Sequence, residues 1–295
     1  MNAWRGVGAL VVTTFALAGC AGTTSIATTT AAGTAERIPL ATMKPDGPGP
    51  FPAVVIVHDC SGLGGRSSGA PDRWGRELVG RGYAVFIPDS FGGRGFPDGV
   101  CTDASPRRAD VSPVSRVRDA YAALAYARTL PTIDGRRVGL MGGSHGGSTT
   151  LASMLFPDSE ADSLAQAKRA GFAAAVALYP SCAPAARVWR NASGIYRPIA
   201  PVLILIGEKD DWTPAAPCQQ LAQAAHTAGY PVTIKVYPGA HHSFDSANPV
   251  RYVATRINAN APGGRGATTG GDATAWADAI REVSAFFDRY LKRRE

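Results

Sequence analysis

Charge is scarce in this chain. Only 18% of its 295 residues are charged, and acids are the minority: 23 Asp and Glu against 30 Lys and Arg, a net charge of +7. A basic balance raises the question of nucleic acid. The cations are scattered, however, with small clusters at Arg107-Arg108, Arg136-Arg137 and Lys292 to Arg294, and no stretch interleaves them with aromatics in a recognisable module. Nucleic acid is therefore not an expected partner. Metal and dithiol redox motifs are also missing. There is no Cys-x-x-Cys and no His-Glu-x-x-His, and the adjacent His241 and His242 lack a carboxylate at ligand spacing. Gly142 to Gly147 has the glycine spacing of a phosphate loop but not the lysine that reaches the phosphates. No cofactor and no metal are expected.

Long hydrophobic runs are lacking as well. Val7 to Ala18 is apolar but too short to span a bilayer, and it follows a weakly basic start at Arg5. It ends in Leu17-Ala18-Gly19-Cys20, the small-small-Cys order of a lipoprotein signal. The expected division is residues 1–19 as signal peptide, 20–35 as a flexible Thr/Ala/Gly-rich tether and 36–295 as the folded domain, with Cys20 lipidated. The alternative is an ordinary secretory signal cut near Ala21. Either reading places the chain outside the cytoplasm, with the lipid reading putting it on the periplasmic side of a bacterial envelope. There Asn191-Ala-Ser193 has no role as a glycosylation acceptor.

Cysteine is scarce too, at five residues. Setting Cys20 aside leaves Cys60, Cys101, Cys182 and Cys218, which allow three pairings in an oxidising compartment. Cys182 and Cys218 follow strands expected to be neighbours, which favours that pair and leaves Cys60 with Cys101.

What is present is an alternation of strands and helices. Apolar β-branched runs at Ala53 to Val57, Tyr83 to Ile87, Arg137 to Met141, Phe172 to Tyr179, Pro201 to Ile206 and Val232 to Tyr237 read as strands, most of them buried on both faces. Glu36 to Met43 reads as an edge strand. Helical spacing falls between the runs, at Pro71 to Val79, Val114 to Leu130, Ser148 to Leu155, Ala161 to Arg169 and Pro214 to Ala228. The chain closes with Trp276, Ile280, Val283, Phe287 and Leu291 on one helix face. Ser90 to Ser112 reads as a long functional loop, and Pro262 to Gly271 as a Gly-rich one. This order predicts an α/β fold with a mostly parallel central sheet and helices on both faces, its function gathered beyond the carboxyl ends of the strands.

The chemistry falls there. Gly142-Gly143-Ser144-His145-Gly146-Gly147 lies between a strand and a helix, the pattern of a nucleophile elbow. A serine hydroxyl needs a base oriented by an acid. Downstream, Gly207 to Pro214 offers Asp210 or Asp211 after one strand, and Gly239 to Phe244 offers His241 or His242 after the next. Acid then histidine after serine is the α/β-hydrolase order.

From about Pro52 to Tyr290 the chain resembles the dienelactone hydrolase family of α/β-hydrolases. The resemblance rests on Val55-Ile-Val-His-Asp-Cys-Ser-Gly62, the glycine-flanked Ser144, Gly207-Glu-Lys-Asp210 through Pro214, and Ala240-His-His-Ser-Phe244. It implies Ser144 as nucleophile, Asp210 as orienting acid and His242 as base, with the backbone N–H groups of Cys60 and His145 as oxyanion hole. Asp59 matches an acidic position near the nucleophile, and Arg94, with Arg107-Arg108, in the long loop is a candidate for lining the pocket. The best-known members carry cysteine where this chain has Ser144. Serine lacks an accessible anionic resting form, which points to ordinary carboxylic esters or lactones as small-molecule substrates. Two alternatives share these residues: a non-catalytic envelope lipoprotein that binds with the same fold, and a peptidase or acyltransferase on the same triad. The export reading has a direct test. Mass spectrometry of the mature protein should find a lipid-modified Cys20 at the N-terminus; an unmodified N-terminus at another residue contradicts it.

Overall fold

Six apolar runs pair side by side to form the centre of the molecule. The computed structural model describes residues 22–30, 32–157, 163–183 and 194–292. The signal segment, Cys20 and Asn191-Ala-Ser193 lie outside them. The strands are β1 (Gly22–Thr29), β2 (Ala35–Met43), β3 (Phe51–Val57), β4 (Ala84–Pro88), β5 (Ile133–Gly143), β6 (Ala174–Leu178), β7 (Val202–Gly207), β8 (Val232–Tyr237), β9 (Arg251–Ile257) and β10 (Arg265–Thr269). The helices are α1 (Ala70–Val79), α2 (Val117–Thr129), α3 (His145–Met154), α4 (Ser163–Arg169), α5 (Ala215–Thr227) and α6 (Ala273–Leu291). Eight strands form one sheet in the order β1-β2-β4-β3-β5-β6-β7-β8. From β4 to β8 every pairing is parallel.

Alternation along β5 explains the layers. A Cβ at Gly139 would meet Phe287 of α6, whereas one at Gly142 would meet the backbone of α3. α6 and α1 therefore cover one face, joined by Trp74 against Trp276 at 4.5 Å between ring centroids. α3 and α2 cover the other. Parallel strands covered on both faces are apolar throughout, and β3, β6 and β7 are buried along nearly their whole length.

Three expectations need correction. The segment from Gly22 to Thr29 is not a tether: it is β1, antiparallel to β2, so β2 is not the edge of the sheet. The reason is β-branched content. Thr and Ile suit a pleated strand, and Ile26 and Thr28 face the core while Ser25 and Ala27 face solvent. The Gly-rich stretch from Pro262 to Gly271 contains β10, which forms a separate hairpin with β9 over the carboxyl ends of the main sheet. The long loop from Ser90 to Ser112 is held by two 3₁₀ turns, Gly92–Arg94 and Pro106–Val111. Among the described residues, no helix is long and apolar enough to cross a membrane.

Buried charge secures the β1 edge. Asp119 of α2, fully buried, accepts both guanidinium nitrogens of Arg94 at 2.7 and 2.8 Å and the Thr28 hydroxyl at 3.0 Å. Arg94 also reaches Glu36 and the Ser90 carbonyl. Asp119 and Arg94 together thus join β1, β2, α2 and the long loop. Removing one member of a buried ion pair leaves the other charge uncompensated. Asp119→Ala is expected to lower unfolding stability in urea by about 3–5 kcal/mol, and Thr28→Val by only about 1 kcal/mol. Equal small losses in both would contradict this role.

Candidate active site

Ser144 sits where β5 passes into α3, with φ 54° and ψ −116°. A non-glycine residue held there stores roughly 1–3 kcal/mol of strain, and close packing on both sides enforces it. A Cβ at Gly142 would lie 2.5 Å from the backbone of Gly146, and one at Gly146 would lie 2.0 Å from the Val57 carbonyl. Only glycine lets α3 start this close to β3. The Ser144 N–H donates to Leu178 at 2.9 Å, which fixes the turn against β6.

Two further loops converge on Ser144. After β7, Asp210 accepts the N–H groups of Trp212 and Thr213 on Oδ1, at 3.0 and 2.8 Å. Its Oδ2 lies 2.8 Å from His242 Nδ1. After β8, His242 is set by Ser243, whose φ is 58°, and its carbonyl accepts from Gly270 at 3.0 Å. His242 Nε2 lies 2.9 Å from Ser144 Oγ. Because the carboxylate can only accept, His242 Nδ1 carries the proton and Nε2 is free to accept from the serine hydroxyl. The three side chains are buried and hydrogen-bonded in series.

The neighbouring candidates go elsewhere. Asp211 accepts the N–H and hydroxyl of Thr268 on β10, and His241 Nδ1 meets the Lys209 carbonyl at 3.1 Å. Packing holds the imidazole of His242: Tyr179 and Trp212 each lie 4.8 Å from it, centroid to centroid. The Tyr179 hydroxyl is anchored on buried Asp245 at 2.7 Å, which also accepts from Trp74 Nε1 at 2.8 Å.

A cleft of about 440 Å³ opens above Ser144, walled by Cys60, Arg108, His145, Trp212 and Ile257 among others. Cys60 and His145 flank the serine, and among the described contacts their backbone N–H groups have no protein acceptor. The disulfide Cys60–Cys101 ties one wall of the cleft to the long loop, and Cys182–Cys218 ties the β6 exit to α5. The Cys101 carbonyl in turn accepts from Ile257 of the hairpin at 3.0 Å. Asp59, Cys60 and Cys101 cluster closely enough to suggest a metal site, but both sulfurs are spent in the disulfide.

Two residues expected to line the pocket do not. Asp59 turns away from the cleft because the Ser61 N–H, at 2.6 Å, and the Ser61 and Ser68 hydroxyls claim its carboxylate. It braces the loop that carries Cys60. Arg94 is consumed by Glu36 and Asp119. Arg108, of the same loop, does line the cleft. Other participants escaped the sequence reading. Thr213 places its hydroxyl 2.9 Å from Asp210 Oδ2 and 3.0 Å from His242 Nδ1; its position three residues after Asp210 was the available signal. Arg116, fully buried beneath the cleft, carried no sequence signal.

The sequence model of the dienelactone hydrolase family matches residues 38–291. The chain belongs to the dienelactone hydrolase family. As a member it is a carboxylic ester hydrolase. No functionally curated protein matches the sequence. Among solved structures, the dienelactone hydrolase-like promiscuous phosphotriesterase P91 from metagenomic libraries is similar, with a TM-score of 0.63 and 19% identity over 92% of this chain and all (100%) of that one. Thermogutta terrifontis esterase 2, phosphorylated by paraoxon, has a TM-score of 0.63 and 18% identity over 95% and 98% of the two chains. The dipeptidyl peptidase 4 of Porphyromonas gingivalis has a TM-score of 0.59 and 19% identity; the match covers 92% of this chain and 36% of the peptidase. At these identities the likeness is one of fold.

Proposed function

We propose that this dienelactone hydrolase family member hydrolyses small carboxylic esters or lactones through an acyl-enzyme on Ser144. The observation that carries the reading is the unbroken series Ser144 Oγ, His242, Asp210 at the floor of the cleft. His242 Nε2 takes the hydroxyl proton as Ser144 Oγ attacks the acyl carbon, and Asp210 stabilises the imidazolium that results. The N–H groups of Cys60 and His145 hold the oxyanion, where a single such donor typically contributes ~10²–10³ in rate. His242 then protonates the departing alkoxide. Water, losing its proton to the same imidazole, releases the acid and restores Ser144. The cleft volume suits a small molecule. An esterase of similar fold, Thermogutta terrifontis esterase 2, is phosphorylated by paraoxon, and an activated Ser144 would be open to the same kind of reagent.

The apolar run ending in Leu17-Ala18-Gly19-Cys20 supports export of this hydrolase, anchored through Cys20 and meeting its substrate outside the cytoplasm. Its membrane association is by the lipid anchor alone.

Assays with p-nitrophenyl acetate and butyrate test the reading. Wild type is expected to hydrolyse both, and Ser144→Ala and His242→Ala to lose roughly 10³-fold or more in kcat. His241→Ala should stay within a few-fold of wild type. Wild type without activity across ester chain lengths favours a binding module. Retained activity in Ser144→Ala removes the serine from the mechanism.

A further inference from the structure

Beneath the cleft lies a buried cation with no place in the hydrolytic steps. Arg116 is fully buried at the start of α2, and its guanidinium stacks 4.8 Å over Phe91. One nitrogen donates to the His58 carbonyl at 2.9 Å, and another lies 2.7 Å from His145 Nδ1. Arginine has only donors. His145 Nδ1 must therefore accept, and the neutral ring carries its hydrogen on Nε2. Burial, followed by the charges of Arg116 and Arg108, holds the His145 pKa well below its ordinary value. Burial also brings Arg116 down, to about 10, with Asp119 and Asp59 acting in the opposite direction. The arginine thus remains charged at neutral pH and the imidazole neutral. Phe91 meets the imidazole edge-on at 5.6 Å and fixes its plane.

The other ring nitrogen faces the cleft. His145 is part of the cleft wall, and among the described residues Nε2 has no hydrogen-bond partner, yet it is not one of the sealed polar atoms that lack one. Its position follows Ser144 directly, so its Cα lies about 3.8 Å from that of the nucleophile. The part of a substrate that remains bonded to Ser144 is the acyl group.

We propose that His145 is a specificity residue: an Nε2–H donor, locked in one tautomer by Arg116, that selects acyl groups carrying an ether or carbonyl oxygen close to the scissile carbonyl. The proposal rests on Ser144 as nucleophile. It concerns the side chain of His145, distinct from the backbone N–H assigned to the oxyanion.

p-Nitrophenyl butyrate and p-nitrophenyl methoxyacetate test it, since their acyl chains have the same length and differ by an oxygen in place of a methylene. The ratio of kcat/KM for methoxyacetate over butyrate should fall about fivefold to tenfold in His145→Leu, the worth of one neutral hydrogen bond. His145→Gln, which keeps a donor, should recover most of the ratio. An unchanged ratio in an active His145→Leu overturns the proposal while leaving the nucleophile intact; hydrolysis of both esters by Ser144→Ala overturns the nucleophile itself. Nitrogen-15 NMR of the wild-type protein at pH 7 needs no variant. It should find His145 protonated on Nε2 and bare on Nδ1, with the Nε2 signal shifted by added methoxyacetate. A proton on Nδ1, or an Nε2 signal unmoved by methoxyacetate, contradicts the assignment.

Discussion

A hydrogen bond of 2.9 Å between Ser144 Oγ and His242 Nε2 joins residues 98 positions apart, and much of the fold around the cleft holds those two atoms at that separation. A parallel sheet suits the task because its strands all end on one edge. β5, β7 and β8 deliver the serine, the acid and the histidine to that edge. Each then needs a local device that keeps its loop from relaxing. For Ser144 it is backbone compression, with Gly142 and Gly146 pressed against each other and against β3. For Asp210 it is a pair of N–H groups on Oδ1, which leave Oδ2 to the imidazole and the Thr213 hydroxyl. For His242 it is the grip of Tyr179 and Trp212, with Tyr179 tied in turn to buried Asp245.

Under and around these loops the chain spends buried charge where a simpler protein would place apolar groups. Asp119 neutralises Arg94 and lies close enough to offset Arg116. Buried pairs of this kind add little net stability but punish the loss of either partner, which makes them effective at fixing one arrangement. Arg94 joins the amino-terminal hairpin to the long loop. Arg116 reaches from α2 to the elbow. The Cys60–Cys101 disulfide completes the same job on the cleft wall, within a small apolar cluster that includes Phe91, Phe96 and Val111. Covalent and ionic ties thus brace the loops around the cleft.

The sheet, the covering helices and the elbow were legible in the sequence because each leaves a local signature: apolar β-branched runs, helical spacing, and glycines around a serine. The order of acid and histidine was legible for the same reason. What escaped depends on distant partners. β1 reads as a low-complexity tether, since Thr-rich segments gain a fold only when a neighbouring strand and a buried face are supplied; here β2 and α2 supply both. The β9–β10 hairpin is hidden by its glycines and its exposed faces. Arg94 looked like a cleft residue because nothing local reveals that Glu36, 58 positions earlier, and Asp119, 25 later, would claim it. Asp59 was misplaced in a similar way, by hydroxyls two and nine residues on. The family resemblance picks Asp210 over Asp211 and His242 over His241; the side-chain directions that separate each pair come only from the folded loops.

The proposed mechanism stands on Ser144 Oγ as the attacking atom. Labelling the intact protein with a fluorophosphonate, followed by peptide mapping, tests it most directly. One adduct per chain is expected, on the peptide carrying Ser144, and its loss in Ser144→Ala. Ester hydrolysis that continues with no adduct on that peptide, or with the adduct on another residue, would contradict it.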